Sequence, residues 1–136
     1  MKRKLLRAVA LVLAPFVLFS LLFAVLSEAG EVVVIRTAAA GGETRETRIW
    51  VVDTPDGLLV RGTGVKGWVE GARAEPRVEL RRGDRWLRLR AVEQAGDAAR
   101  ARANELMLAK YGAAERMVRW VRNVDASVSF LLVPEP

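Results

Sequence analysis

The 136-residue chain contains no cysteine and no histidine. Without cysteine there is no disulfide, no thiolate nucleophile and no cysteine-ligated iron–sulfur cluster, and without either residue there is no Cys/His zinc site. The missing histidine also excludes Ser-His-Asp catalysis, a histidine general base and a histidine-ligated haem. Polar chemistry is therefore left to carboxylates, amines, guanidiniums, hydroxyls, the backbone and a single tyrosine, Tyr111.

The net charge of +6 is unevenly distributed along the chain. Residues 1–29 hold four basic side chains and one acidic side chain, so residues 30–136 carry only +3. Such mild basicity is a weak signal for nucleic acid, and we expect no nucleic-acid partner. The length suits one folded unit. We therefore divide the chain into an N-terminal segment, 1–29, and one domain, 30–136.

The N-terminal segment has the pattern of a membrane helix. The basic stretch Met1–Arg7 precedes an uncharged run from Ala8 to Ser27, which as a helix spans about 30 Å, the thickness of a bilayer's hydrocarbon core. Pro15 lies inside this run and is tolerated in a membrane helix as a kink. We predict a single-pass anchor with its basic N-terminus in the cytoplasm and the domain outside. The alternatives are a buried soluble helix and a secretory signal cleaved near Ser27-Glu28-Ala29, which would leave the domain secreted.

The remaining residues predict a mainly β (α+β) fold. β-Branched runs, alternation and turn signals mark six strands, and helical spacing marks three helices. The edges of such an antiparallel sheet are hidden if it closes into a small barrel. The predicted strands cover Glu31–Thr37, Thr44–Asp53, Leu58–Gly62, both arms of the hairpin Arg77–Glu93, and Ser127–Val133. The predicted helices cover Trp68–Glu75, Asp97–Tyr111 and Ala113–Arg122.

The hairpin allows its register to be predicted. A two-residue turn at Gly83-Asp84 places Leu80 opposite Leu87 and Val78 opposite Leu89 on the core face. Arg81 and Trp86 then share the outer face, which we interpret as solvated or oligomer-contacting, with an anion site as the alternative.

Several single residues also receive a local interpretation. The second strand is polar in its first half and apolar on both faces in its second half, so we expect it to enter the core part-way along. We expect Asp97 to cap its helix, Val121 to face inward, Asp53 and Asp56 to form a turn, and Glu105 and Lys110 to be solvated.

The glycine-rich loop Gly62–Gly67 carries no established phosphate motif. It lacks the Lys-Ser/Thr pair of a Walker loop, and no long helix with a parallel crossover follows it as in a dinucleotide fold. As a bare pattern it is more simply interpreted as an ordinary strand-to-helix loop. Trp68, which opens a helix directly after this loop, is the tryptophan that we single out for a ligand.

Several short motifs resemble the nitroreductase family of deazaflavin-dependent oxidoreductases. These proteins are split β-barrels related to the pyridoxamine-phosphate-oxidase-like flavin proteins. The resemblance covers nearly all of residues 31–134. Its motifs are Ile35-Arg36-Thr37 followed by a glycine loop and Arg45-x-x-Arg48-x-Trp50, the helix from Gly67-Trp68 to Glu75-Pro76, Lys110-Tyr111-Gly112, and Leu131–Pro134.

The resemblance implies a cofactor site that binds a deazaflavin coenzyme or FMN, and no metal. In that family the cofactor's phosphate tail lies along the glycine loop and the strand that follows. Carried over, this implicates Gly41, Gly42, Thr44, Arg45 and Arg48 in phosphate binding, with Trp68 beside the ring system. Tyr111 is then the candidate catalytic proton donor. Gly42-Glu43-Thr44 departs from the family's usual Lys-Ser-Gly, and the acidic Glu43 disfavours a phosphate there because like charges repel.

The function implied is that of a membrane-anchored reductase, a homodimer, acting on a quinone, a nitro compound or another lipophilic acceptor. Hydride chemistry of this kind belongs to the cofactor and needs no cysteine or histidine. One alternative is a non-catalytic, membrane-tethered split-barrel module that binds or interacts with a partner. A second is a basic module that docks anionic lipid or nucleic acid through Arg77, Arg81, Arg88 and Arg90.

Overall fold

Six antiparallel strands close into a barrel in the order β1-β2-β3-β6-β5-β4. The computed structural model describes the backbone of residues 1–136 and the side chains of residues 1–25 and 30–136. The side chains of the candidate cleavage site, Ser27-Glu28-Ala29, lie outside the described residues. The strands are β1 Val32–Ala38, β2 Thr44–Thr54, β3 Gly57–Gly62, β4 Arg77–Arg82, β5 Arg85–Gln94 and β6 Val128–Pro134.

Four α-helices accompany the barrel: α1 Lys2–Ala29, α2 Trp68–Ala74, α3 Asp97–Tyr111 and α4 Ala113–Val121. Single 3-10 turns lie at Ala40–Gly42 and Val124–Ala126. The predicted fold class is confirmed, with a six-stranded antiparallel barrel, short helices and one apolar N-terminal helix. The burial along β1 illustrates why the sequence pattern predicted this fold: buried and less buried residues alternate, because every second residue of the strand points into the barrel.

The barrel interior is filled by apolar side chains from all six strands and from α2. Ile35, Val51, Val60, Leu80 and Phe130 are among the most deeply buried of them. The predicted hairpin register is confirmed, since Leu80 pairs with Leu87, Val78 with Leu89, Glu79 with Arg88, and Arg81 with Trp86.

The second strand enters the core part-way along, as predicted. Its first four residues, 44–47, are largely exposed, whereas Ile49, Val51 and Val52 are buried. Val51 belongs to the barrel interior and Val52 to a second cluster on the outer face, where α3 and α4 cover β2 and β3.

A buried ion pair holds this helical cover on the barrel. The guanidinium of Arg61, on β3, donates to both carboxylate oxygens of Glu115, on α4, at 2.7 Å each. It also donates to Asn104 Oδ1 on α3 at 2.9 Å, and Asn104 Nδ2 donates to the carbonyl of Val124 at 3.1 Å. Glu115 is fully buried, and Arg119 adds a further hydrogen bond to it at 3.2 Å. One guanidinium thus ties two helices to one strand.

Two local predictions about the helices are wrong. Gly96 occupies the N-cap position of α3, where its φ of 96° suits glycine, and Asp97 instead pairs with Arg100 inside the first turn. Val121 is 51% exposed. The buried face of α4 is centred on Ala114, Glu115 and Val118, and because the Arg61 ion pair rotates Glu115 inward, Val121 is moved toward the edge.

We expect Arg61→Ala to destabilise the protein by about 3–5 kcal/mol, because it leaves the Glu115 carboxylate buried without its partner. The measurement is thermal unfolding of the full chain in detergent. Arg73→Ala is the matched control, since the Arg73–Glu93 pair is solvent-exposed and its loss should cost about 0–1 kcal/mol. Arg61→Met combined with Glu115→Leu should recover most of the loss, because it removes both charges together. Equal losses for Arg61→Ala and Arg73→Ala would contradict this account.

Candidate functional site

A cleft of about 510 Å³ lies beside the β3–α2 loop. Trp50 and Trp68 contribute aromatic walls, and the loop from Gly62 to Gly64 contributes backbone. Met107 on α3 and Val118 on α4 add apolar surface. The cleft is therefore shared by the barrel and its helical cover.

The electrostatic character of this cleft is cationic. Its charged lining consists of Arg48, Arg61, Lys66 and Arg122, and no carboxylate lines it among the described side chains. The charge of Arg61 is balanced by Glu115, and Arg122 donates to Thr63 Oγ1 at 3.2 Å. Lys66 is exposed at the rim. Such a lining favours an anionic group next to an aromatic one.

The structure divides the predicted cofactor-binding residues between two places. Arg48 and Trp68 line this cleft. Arg45 lies next to it, since a Cβ on Gly67 would be 3.1 Å from Nη1 of Arg45. Trp68 is buried and packs on Phe130 with ring centroids 5.5 Å apart, so it forms a wall that belongs to the barrel core.

The remaining predicted residues lie at the β1–β2 turn. Gly42 and Thr44 line a different cleft, of about 420 Å³, together with Glu43. Gly41 and Gly42 are exposed in the same turn, with φ of 74° and 75°. Four carboxylates line this second cleft against three arginines. The β1–β2 turn is therefore the less favourable of the two places for a phosphate. The carboxylates are Glu43, Glu75, Glu79 and Glu135, and the arginines are Arg36, Arg77 and Arg88.

Tyr111 lies at the junction of α1, α3 and the barrel. Its hydroxyl donates to the carbonyl of Glu31 at 2.5 Å and accepts from the amide of Val51 at 3.0 Å. Its ring stacks on Trp50 with centroids 4.2 Å apart, so Trp50 separates it from the cleft. Burial raises the pKa of Tyr111. Gly30 packs against the same ring, because a Cβ there would lie 2.5 Å from two ring carbons.

A cluster of charges surrounds this junction. Arg82 forms bidentate hydrogen bonds with Glu31, at 2.8 and 2.9 Å, and with Asp53, at 2.7 and 2.6 Å. Lys110 donates to Glu31 at 2.8 Å and to the carbonyl of Val51 at 2.6 Å. Hydrogen bonding to Arg82 lowers the pKa of both Glu31 and Asp53.

This cluster corrects two sequence-based interpretations. Lys110 is not simply solvated, because the end of α3 lies against β2 and brings its ammonium to Glu31. Asp53 is more than a turn former, since it pairs with Arg82 across the barrel rim, while the turn itself is closed by Thr54 Oγ1 donating to the carbonyl of Gly57 at 2.8 Å.

The outer face of the hairpin is an ion-pair network. Arg36 lies over the Trp86 ring at 3.9 Å and also pairs with Glu46 and Glu79. Arg81 lies 5.6 Å from the same ring, so Arg81 and Trp86 share one face as predicted. Within the described residues, no group of three or more acidic side chains is arranged to hold a metal ion.

Sequence reasoning missed Arg61, Glu115 and Arg82. The sequence held only a weak signal for the buried ion pair. Glu115 lies on the same face of α4 as Ala114 and Val118, and this face is directed toward the barrel. A carboxylate on an inward-facing stripe requires a buried cationic partner. A single sequence does not identify that partner, because Arg61 is 54 residues away along the chain.

The comparisons with known proteins show the fold. No protein-family model and no curated protein sequence matches the chain. HutZ, a haem storage protein from Vibrio cholerae, has 12% identity and a TM-score of 0.62 over 82% of this chain and 86% of its own. A candidate pyridoxamine 5′-phosphate oxidase from Listeria innocua has 17% identity and a TM-score of 0.59 over 88% and 94%. An F420-H2-dependent reductase has 19% identity and a TM-score of 0.53 over 75% and 93%. The similarity to these structures supports the split-barrel fold.

The junction cluster predicts a pH dependence of stability. The pKa values of Glu31 and Asp53 lie below their ordinary values of 4.5 and 3.8, so the unfolded chain takes up protons first as the pH falls. The stabilisation that these two carboxylates contribute is complete at pH values above their ordinary pKa values. It is lost as the pH falls through their lowered pKa values in the folded protein. Arg82→Gln should lower the thermal midpoint at pH 7, and the gap to the wild type should narrow below about pH 4. Arg85→Gln, in the same hairpin, is the control. A gap that stays constant down to pH 3 would contradict the prediction.

Proposed function

We propose that this protein is a membrane-anchored reductase that binds a deazaflavin coenzyme or FMN and acts on a quinone, a nitro compound or another lipophilic acceptor. The observation that carries the proposal is the cationic cleft walled by Trp50 and Trp68, with no carboxylate among its described lining residues. A planar cofactor with a phosphate tail needs this combination of aromatic surface and positive charge.

The described residues fit such a cofactor in the cleft. Lys66 and Arg122 are the cations that can receive its phosphate, and Arg45 lies beside the same loop at Gly67. Trp50 and Trp68 can contact the ring system. When bound, the cofactor supplies hydride transfer, and the protein contributes binding, orientation and exclusion of water. The absence of cysteine and histidine is compatible with this division of labour.

The proposed position of the phosphate differs from that implied by the resemblance. We place it at the β3–α2 loop, because Gly42 and Thr44 in the β1–β2 turn line a cleft rich in carboxylates. Arg48 lines the proposed site and stays a predicted phosphate ligand.

The catalytic role of Tyr111 also stays a prediction. To release its proton, the hydroxyl must lose its hydrogen bond to the carbonyl of Glu31, and burial raises its pKa. Both effects oppose proton donation, so we expect solvent at the cleft mouth to supply protons more readily than this hydroxyl does.

The membrane anchor rests on α1. Residues Lys2–Val25 are long and apolar enough to span a bilayer, with a mean hydropathy of 2.7, and none of the apolar window is buried by the domain. A signal sequence passes the same test, so the secreted alternative is part of the hypothesis. We propose that the N-terminus lies in the cytoplasm and the domain outside, as a homodimer.

Two other functions suit the residues of this chain less well. Haem storage, the role named for HutZ, would need an axial ligand other than histidine or cysteine. The basic-module alternative is weakened at the hairpin, where Arg77 pairs with Glu135 at 3.4 Å and Arg88 lies opposite Glu79. The non-catalytic module is favoured by Glu43 in the β1–β2 turn and by the engaged hydroxyl of Tyr111.

The test is titration of the purified full chain, in detergent, with FMN and with the deazaflavin coenzyme, followed by absorbance and fluorescence. We expect Lys66→Ala to weaken binding about tenfold, which corresponds to the loss of one charge-assisted hydrogen bond. Glu43→Gln should leave the affinity unchanged if the phosphate lies at the β3–α2 loop. If the phosphate lies at the β1–β2 turn, Glu43→Gln should strengthen binding instead.

Arg85→Ala is the matched control, because it removes an exposed cation from the β4–β5 turn, away from the cleft. Its affinity should equal that of the wild type. No binding of either cofactor would exclude the reductase and leave the non-catalytic module.

A further inference from the structure

We propose that the end of α4 and the β3–α2 loop form a bilayer-docking surface, which holds the mouth of the cleft at the level of the lipid headgroups. The proposal rests on the membrane anchoring in the proposed function and is independent of any cofactor. The occupant is a phospholipid surface that contains anionic lipid.

The first observation is the distribution of exposed apolar side chains. Outside α1, the large hydrophobic side chains exposed in the described part of the chain are Trp120 at 83%, Val65 at 54%, Val121 at 51% and Val92 at 42%. Three of these four lie in two segments that are joined by the hydrogen bond between Arg122 and Thr63. An exposed cluster of this kind marks a contact surface, whereas a single exposed residue such as Val92 does not.

The second observation is the level of this surface along α1. Helix α1 packs against α4, and Phe23 is the residue of α1 that is partly buried among its described side chains. Phe23 lines the cleft together with Val118 and Arg122. It lies four residues before the end of the uncharged run at Ser27, which is about 6 Å along a helix. If α1 spans the bilayer, the end of α4 is therefore at the interface.

The third observation is the chemistry of the two segments. Arg116 and Arg122 on one side, and Lys66 on the other, are exposed next to the apolar residues. Tryptophan prefers the boundary between headgroups and acyl chains, because one part of its ring system is apolar and its N–H is polar. Basic side chains beside it attract anionic headgroups. The surface thus has the composition of an interfacial helix.

The consequence concerns the route of the substrate. Arg122, at the end of α4, belongs both to the cleft lining and to the proposed surface, and Phe23 of α1 lines the same cleft. A lipophilic acceptor dissolved in the bilayer can therefore reach Trp50 and Trp68 from the membrane without crossing bulk water.

The absence of cysteine makes a site-specific test direct. Single-cysteine variants Val121→Cys and Val65→Cys keep Trp120 in place, and Leu13→Cys reports on α1. Asp56→Cys, in the turn at the opposite end of β3 from the loop, is the aqueous control. Each full-length variant carries a nitroxide label in bilayer nanodiscs of phosphatidylglycerol and phosphatidylcholine. Collision with oxygen and with a water-soluble nickel complex then gives the depth of each label.

We expect the Leu13 label to be deep, the Val65 and Val121 labels to lie at the headgroup level, and the Asp56 label to be in water. Labels at Val65 and Val121 that match the Asp56 label, with Leu13 deep, would overturn the docking surface and leave the anchor intact. A water-exposed Leu13 label would overturn both the anchor and the docking surface. Strong dipolar coupling between two Val121 labels, with both shielded from lipid, would show that a second copy covers the surface and would also overturn the proposal.

A second variant pair tests the apolar contact itself. Trp120→Asp should raise the nickel accessibility of the Val65 label several-fold, because a carboxylate is repelled by anionic headgroups. Val92→Asp, at an exposed apolar residue outside the surface, should leave it unchanged. Replacement of phosphatidylglycerol by phosphatidylcholine should shift the Val65 label in the same direction as Trp120→Asp. An unchanged label in Trp120→Asp would overturn the proposal.

Discussion

Arg61 brings a positive charge to the interface between the barrel and its helical cover, and Glu115 neutralises it there with two hydrogen bonds of 2.7 Å. Desolvation makes such a pair a weak source of stability but a strong constraint on geometry, because every misaligned arrangement leaves a buried charge without its partner. The barrel closes through its own strand pairing. The ion pair joins α4 to β3, and Arg61 joins α3 to the same strand through Asn104; both helices line the candidate cleft.

The same orientation of α4 bears on the exposed residues at its end. With Glu115 directed at Arg61, Trp120 is directed away from the barrel and Val121 lies at the edge of the buried face, and both remain exposed. Two exposed apolar residues that the core does not use need another environment, and α1 brings the end of α4 to the level of its own last apolar turns. Helix α4 thus packs on the domain through Ala114, Glu115 and Val118, and its proposed contact with the bilayer uses other residues at its end.

The junction at Tyr111 couples α1 to the barrel in a different way. The Tyr111 hydroxyl makes neutral hydrogen bonds with the backbone of Glu31 and Val51. Charged side chains surround these bonds, and among them Arg82 bridges Glu31 and Asp53. Gly30, directly after α1, lies against the Tyr111 ring at the end of α3. Helix α1 itself packs against α4, so contacts with the helices add to the chain connection in positioning α1.

Much of the fold could be predicted because its determinants are local. A two-residue turn at Gly83-Asp84 fixed the hairpin register, and the bounds of α3 followed from helical spacing and Gly112. The site was less predictable, because its determinants are long-range. Nothing near Arg61 in the sequence indicates Glu115, and nothing near Gly42 indicates that Glu75 and Glu135 line the same cleft as Gly42.

Net charge was an equally incomplete guide, for the same reason. A domain charge of +3 predicts no particular ligand. In the folded chain, however, carboxylates line one cleft, whereas no carboxylate lines the other among the described residues. An anion responds to the potential inside a cleft, and neighbouring charges within a few ångströms determine that potential more than the total does. For a chain without cysteine or histidine, this sorting matters more than any single side chain, since the protein's contribution to cofactor chemistry is electrostatic and positional. The carboxylate-free cleft at the β3–α2 loop is where the described residues make that contribution.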